Sequence, residues 1–387
     1  MTGLAHVYAA KGDTAKALET TDDYLRHDPS LGLAWVEKGI ALHNLDDVDG
    51  ARDSFKECVR LSAYADRCLE RLMILEGALG RCTDAERYAR TLMSFPSTRR
   101  WWAVRLAGAI LGRGGSIESA REAVKHLGAK SPIEPENGTR FHVLEGALSE
   151  AERGFDEMAR ASVNAKYEDV HASIAEPSFN LAMELGELPH AVRMASEYLA
   201  KREAWIPVPT VEGEMLALRV QYLAGGLSRE AFAKRREDWL GGQGKTLEMS
   251  TDKMYVWTVA YAQASKTPED AQDALRALPR FGTLGANVGG VAAPNAIGHM
   301  YSLAGDDERA LPYLRDATAA CDIVDNPFEH TWAHLHLGTA LERTGDTPGA
   351  CTAYGVVLKR WGKEPRSVSA NAARARYRAL RCSTTLP

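Results

Sequence analysis

The residues best placed to do chemistry in this chain are few, and each falls short of a full constellation. Gly241-Gly-Gln-Gly-Lys-Thr246 has the ending of a phosphate-binding loop, in which Lys245 would reach phosphate and Thr246 would hold magnesium. That loop also needs a glycine five residues before Gly244 and a buried strand ahead of it. Trp239 stands at the glycine position, and Arg229 to Leu240 has the spacing of an amphipathic helix. We read the stretch as a turn after a helix. Gly282-Thr-Leu-Gly-Ala-Asn-Val-Gly-Gly290 lies between Pro279 and Pro294 and reads as a loop between helix pairs. His330 and His334 are four residues apart and share a helix face, while His336 points elsewhere. Two imidazoles without a third ligand do not make a metal site, so surface or groove contacts are expected for these histidines. Asn137-Gly-Thr139 is a glycosylation triplet that needs a secretory context to matter. No nucleophile elbow, zinc-protease helix or kinase signature occurs.

The six cysteines are Cys58, Cys68, Cys82, Cys321, Cys351 and Cys382. They form no C-x-x-C or Cys/His zinc spacing, and they are too sparse in 387 residues for a disulfide scaffold. Cys58 and Cys351 lie on second helices, where small apolar packing is the default, and the set as a whole reads as that of a reducing, cytoplasmic compartment. No secretory leader is evident at the N-terminus. The longest apolar stretch, Trp101 to Leu111, is short and interrupted by Arg105, against the roughly 18 apolar residues a membrane helix needs. Net charge is −5, with 45% hydrophobic and 26% charged residues. That is a core-forming composition without the basic footprint of a nucleic-acid binder. The expectation is no cofactor, no metal, no nucleic acid and no membrane.

The elements that would position any site are helices in a repeat. Small residues at Ala17, Ala51, Ala85, Ala120, Ala191, Ala231, Ala271, Ala310 and Ala350 are spaced by 34, 34, 35, 71, 40, 40, 39 and 40. The gap of 71 predicts one degenerate unit between Ala120 and Ala191. Gly39, Ala51 and Phe55, with Trp35 ahead of them, recur as Gly298, Ala310 and Leu314 and as Gly338, Ala350 and Tyr354, with Ile297 and Leu337 beside the later glycines. Gly39, Gly298 and Gly338 would let the partner helix approach closely. Gly12, Gly80, Gly115, Gly186, Gly226, Gly305 and Gly345 would allow the turns within pairs.

A period of 34 residues with these markers resembles the tetratricopeptide repeat. The resemblance is strong at 1–125 and 291–362, weak at 130–175, and holds in outline at 211–280. It implies an all-α solenoid, a right-handed superhelix of antiparallel helix pairs. The expected organisation is an array of about four units over 1–130, the first truncated by Met1 as if the chain were a piece of something longer. Degenerate helical repeats follow over 131–210, with a loop at 131–138. Units of about 40 residues then span 211–362, and a basic cap helix and tail span 363–387. Asn326 to Gly338, Thr344 to Tyr354, Leu358 to Gly362 and Pro365 to Val368 are similar to the C-terminal repeats of large bacterial serine/threonine protein kinases. The kinase signatures themselves are absent.

Stacked helix pairs expose their first helices to a concave groove. By pattern, the partner-binding positions are His43, Asn44, Asn295, His299, Trp332, Leu335, Thr339, Glu342 and Arg343. A carboxylate clamp of the kind some such repeats carry is not expected, because Glu37 and His6 occupy the equivalent places. The function implied is a non-catalytic scaffold that binds a protein or peptide, as the docking region of a signalling protein such as a kinase. The alternatives are the sensing region of a transcription regulator, or an enzyme using Lys245 or the histidines.

Overall fold

A computed structural model describes residues 4–5, 7–8, 13–62, 65–95, 100–125, 134–207, 212–242, 253–284 and 290–382. Lys245, Thr246, His6 and Gly12 lie outside the described residues, as does most of the loop read at 282–290.

Among the described residues the chain forms twenty α-helices and no strand. We number them α1 Thr14–His27, α2 Gly32–Asn44, α3 Val48–Leu61, α4 Asp66–Ala78, α5 Cys82–Met93, α6 Arg100–Gly112, α7 Ile117–Lys125, α8 Glu134–Glu145, α9 Leu148–Ala161 and α10 Glu168–Glu184. They continue as α11 Leu188–Arg202, α12 Gly213–Leu223, α13 Arg229–Gly242, α14 Lys253–Ala260, α15 Pro268–Ala277, α16 Ala292–Leu303, α17 Asp307–Ala319, α18 Pro327–Arg343, α19 Thr347–Trp361 and α20 Val368–Ala379. Consecutive helices pack as antiparallel pairs, with α2 on α3, α4 on α5, α16 on α17 and α18 on α19. This is the all-α solenoid that the repeat spacing implies.

The marker residues show why the pairs form. Ala17, Ala51, Ala85, Ala120, Ala191, Ala271, Ala310 and Ala350 are all buried at the pair interface. At Gly338 an added Cβ would lie 2.6 Å from Cε1 of the buried Tyr354 ring, so only glycine lets α18 and α19 come this close. The turn from α18 to α19 is made by Gly345 at φ +88°, a left-handed conformation that caps the first helix. Gly114 and Gly225, rather than Gly115 and Gly226, hold the positive φ in their units.

Two readings need correction. Ala231 is exposed; the buried face of α13 is set one residue later by Phe232, which stacks on Tyr222 with ring centroids 4.7 Å apart. The stretch read as a loop at 131–138 contains the start of α8, which begins at Glu134. That helix, with α9 and its buried Ala151, supplies the helix pair between Ala120 and Ala191.

A larger correction concerns the cysteines. All six are paired, as Cys58–Cys68, Cys82–Cys321 and Cys351–Cys382. Cys58–Cys68 joins α3 to α4, and Cys351–Cys382 ties α19 to the end of α20. Cys82–Cys321 links residues 239 apart. The reading of Cys58 and Cys351 as packing thiols, and of a chain without a disulfide framework, is therefore overturned, and the argument for a reducing compartment goes with it. Among the described residues no helix is long and apolar enough to cross a membrane.

The long-range disulfide belongs to a wider closure of the array. The last pair packs back onto the middle of the chain: α18 lies on α8 and α10, and α19 on α8. Trp361 is fully buried and donates its Nε1–H to the Val143 carbonyl at 2.8 Å, across 218 residues. Around Cys321, the backbone N–H of that residue donates to the Gly77 carbonyl at 2.9 Å. Arg105, which interrupts the apolar face of α6, pairs with Asp325 at 2.8 Å and Asp322 at 3.5 Å. The array is therefore curled shut rather than open along its whole inner face.

Candidate functional site

Closing the array leaves an interior lined by first helices. Inward positions on α10, α12, α16 and α18 enclose a cavity of about 420 Å³, completed by the 3₁₀ turn Ala262–Ala264 and the start of α20. A second cavity of about 380 Å³ lies between α2, α4 and the start of α16. Gln263 and Ala292 line both, so the two adjoin. Concave spaces with apolar walls and a few convergent polar groups are the usual form of a binding site.

The polar groups of the first cavity are built from distant units. Pro177 sits inside α10 just after Glu176, where it removes one helical N–H donor. Glu176 accepts from Arg219 of α12 at 3.4 Å, and the buried Arg219 also donates to Gln263. Glu329, in the first turn of α18, accepts from Asn180 at 2.8 Å. Burial raises the carboxyl groups of both Glu176 and Glu329. Mutual repulsion adds to this at Glu329, which is brought up to about 7. Glu184 is satisfied differently: Trp332, Ser367 and Ser369 side chains and the Ser369 backbone N–H all donate to it.

His299 and His336 stack with centroids 3.8 Å apart, and His336 shares a hydrogen bond of 2.8 Å with Asn295. Burial holds both rings neutral, lowering His299 to about 4 and His336 well below its ordinary value. His330 is buried in the core rather than on the surface and contacts Arg360 at 2.9 Å. Its ring lies 5.0 Å from that of His334. Among the described residues no group of three or more side chains is arranged to hold a metal ion.

Of the nine groove positions read from the repeat pattern, Asn295, His299, Trp332 and Leu335 line the first cavity, and His43 lines the second. Asn44 is exposed at the end of α2 and lines neither of these cavities. Three others are taken up by neighbouring helices. Thr339 and Glu342 accept from the Tyr354 hydroxyl at 3.4 and 3.0 Å, and Glu342 also pairs with Arg376 of α20. Arg343 donates to the Ser302 carbonyl at 2.8 Å. The pattern missed Glu176, Arg219, Gln263 and Glu329. The one local signal was a glutamate beside a proline in mid-helix.

The raised Glu329 carboxyl has a consequence for stability. The native state holds a proton that the unfolded chain releases nearer pH 4.5, so stability falls as pH rises from there through about 7. Glu329→Gln removes this slope. The variant is expected to be more stable than the parent by about 3 kcal/mol at pH 8, with the difference vanishing below pH 4. Thermal unfolding across that pH range checks it; a parallel pH dependence in both proteins would refute it.

Residues 332–363 match the family model of the tetratricopeptide repeat. No curated protein matches the chain. Among solved structures, the chain is similar to one in the complex of Naa15/Naa10 bound to HypK-THB, at 14% identity and a TM-score of 0.30. That likeness covers 98% of this chain but spans only 60% of the other. The P58(IPK) TPR domain is 13% identical, with 99% and 98% of the two chains covered and a TM-score of 0.27. Yeast Tom70 is 12% identical, with 98% and 88% covered and a TM-score of 0.33.

Proposed function

We propose that this chain is a non-catalytic protein-interaction scaffold whose curled interior, rather than its outer helices, receives a segment of a partner. The observation that carries this reading is the pair of adjoining cavities walled by first helices, which is where a helix-pair solenoid presents its binding face. Within it, His43, Asn295, His299, Trp332 and Leu335 are the proposed contacts. The neutral, stacked histidines and the amides of Asn295 and Gln263 offer hydrogen bonds to a peptide backbone.

The three disulfides support work in an oxidising compartment, where such bonds persist. A docking role within a bacterial signalling protein such as a serine/threonine kinase rests on the sequence likeness at 326–368. An oxidising compartment weighs against a kinase domain on the same side of a membrane, because the kinase needs cytoplasmic ATP. The sensing region of a transcription regulator is disfavoured on the same ground.

The test is to pan a displayed library of random peptides on the purified, oxidised chain. Enriched peptides should bind the parent and fail to bind Ala292→Trp, which plugs the junction of the two cavities. Peptides that bind both proteins equally would move the site to the outer surface.

A further inference from the structure

We infer that the interior groove recognises a lysine or arginine side chain of its partner segment, seated between Glu176 and Glu329. This rests on the reading of the interior as the binding face and names the chemistry of what enters it.

The argument is one of charge and access. Three carboxylates line the first cavity, Glu176, Glu184 and Glu329, against two cations, Arg219 and Lys266. Lys266 is committed elsewhere: its ammonium donates to the Tyr222 carbonyl at 2.7 Å and lies 3.9 Å from the centre of the Tyr222 ring. Glu184 is saturated by its donors from α18 and α20. That leaves Glu176 and Glu329 with Arg219, which reaches only Glu176, at 3.4 Å, and with the field of Arg140, whose guanidinium donates to the Asp325 carbonyl. Glu329 has the neutral amide of Asn180 instead.

The side chain of Glu176 is 43% accessible, although burial raises its carboxyl. It faces open space inside the fold rather than protein. Among the described residues no cation bonds Glu329, which keeps a proton up to about pH 7 despite the field of Arg219 and Arg140; the pair opens on a cavity with Trp332 and Leu335 in its wall, where a cationic head can take the place of that proton. An aliphatic stem against that wall and a cationic head at the carboxyl groups would occupy this end of the cavity and replace the proton held there. A free small amine would satisfy the charge alone. The continuity of this cavity with the next one, through Gln263 and Ala292, favours a side chain carried on a longer segment. The adjoining cavity has Arg71, His43 and the paired Arg105 and Asp322 in its wall and no second pair of carboxyl groups, so the preference for a cation is local to one end.

The same peptide library distinguishes the outcomes. On the parent, Lys or Arg should be enriched at one fixed position of the selected sequences. On Glu176→Gln/Glu329→Gln that enrichment should disappear. The best selected peptide and its counterpart with Met at that position are then titrated by calorimetry. The neutral peptide should bind the parent roughly tenfold more weakly and the double variant within about twofold of the cationic one. Glu329→Gln alone provides the same comparison if the double variant fails to fold. Selected peptides with no preference for a cation, or an equal loss on parent and variant, would overturn the inference while leaving the groove reading intact. A lone amine such as N-acetyl-lysine amide binding as tightly as the peptide would overturn the choice of a protein partner. No enrichment at all on the parent would remove the groove reading and the inference together.

Discussion

Removing the Cys82–Cys321 disulfide by Cys82→Ala/Cys321→Ala is expected to destabilise the chain more than removing either of the other two bridges. The bond closes a loop of 239 residues, against 10 for Cys58–Cys68 and 31 for Cys351–Cys382. Loop-closure entropy then sets the losses at about 5, 3 and 4 kcal/mol respectively. The native contacts around the long bridge point the same way. It pins the turn before α18 to the start of α5, next to the Gly77–Cys321 backbone bond and the Arg105 ion pairs. Urea unfolding of the three double variants tests the order. A loss no larger than that of Cys58→Ala/Cys68→Ala would show that the array closes without the bridge. Alkylation of the purified native protein, followed by peptide mapping, should find no modified cysteine. Labelled Cys82 and Cys321 would refute the pairing.

The second large effect is expected at Trp361. Its ring is fully buried at the end of α19, packs near Phe328 with centroids 6.0 Å apart, and reaches Val143 of α8. Trp361→Ala should cost about 3–5 kcal/mol, because it removes a large ring from a packed core and leaves a cavity. Trp361→Phe keeps most of the volume and removes one of two hydrogen bonds to the Val143 carbonyl, which still accepts from the Gly146 N–H at 3.1 Å, so it should cost about 1 kcal/mol. Because the ring joins the last pair to the middle of the chain, proteolysis of Trp361→Ala should release the C-terminal pair early. A loss below about 1 kcal/mol for the alanine variant would show that α18 and α19 are held by other contacts.

How far the sequence could be read follows from which contacts are local. The alanine period and the Gly338–Tyr354 and Gly298–Leu314 pairings lie within single helix pairs. Steric demand there leaves few residue types, so the pattern is visible in the chain. Ala231 misled because a buried phenylalanine one residue on removes more apolar surface from water than a methyl group, and so decides which face of α13 turns inward. The closure of the array could not be read in this way. Nothing within a repeat records that Cys82 meets Cys321 or that Trp361 meets Val143, because those contacts depend on the curvature summed over many units. The site suffered for the same reason. Asn295, His299, Trp332 and Leu335 were found because they face inward in their own units. Glu176, Arg219 and Gln263 were missed because they meet Glu329 only once the array has curled. Glu342 and Thr339 were inward by pattern, but Tyr354 holds both and Arg376 of the last helix pairs with Glu342.

The central claim is that the curled interior is the binding face. Hydrogen–deuterium exchange of the purified chain, with and without the best peptide selected from the library, tests it most directly. The account predicts slowed exchange in α10, α12, α16 and α18, where the cavity walls lie, with the outer helices α11, α13 and α17 unchanged. Protection confined to those outer helices, or to the arginine-rich C-terminal end of α20, would contradict it.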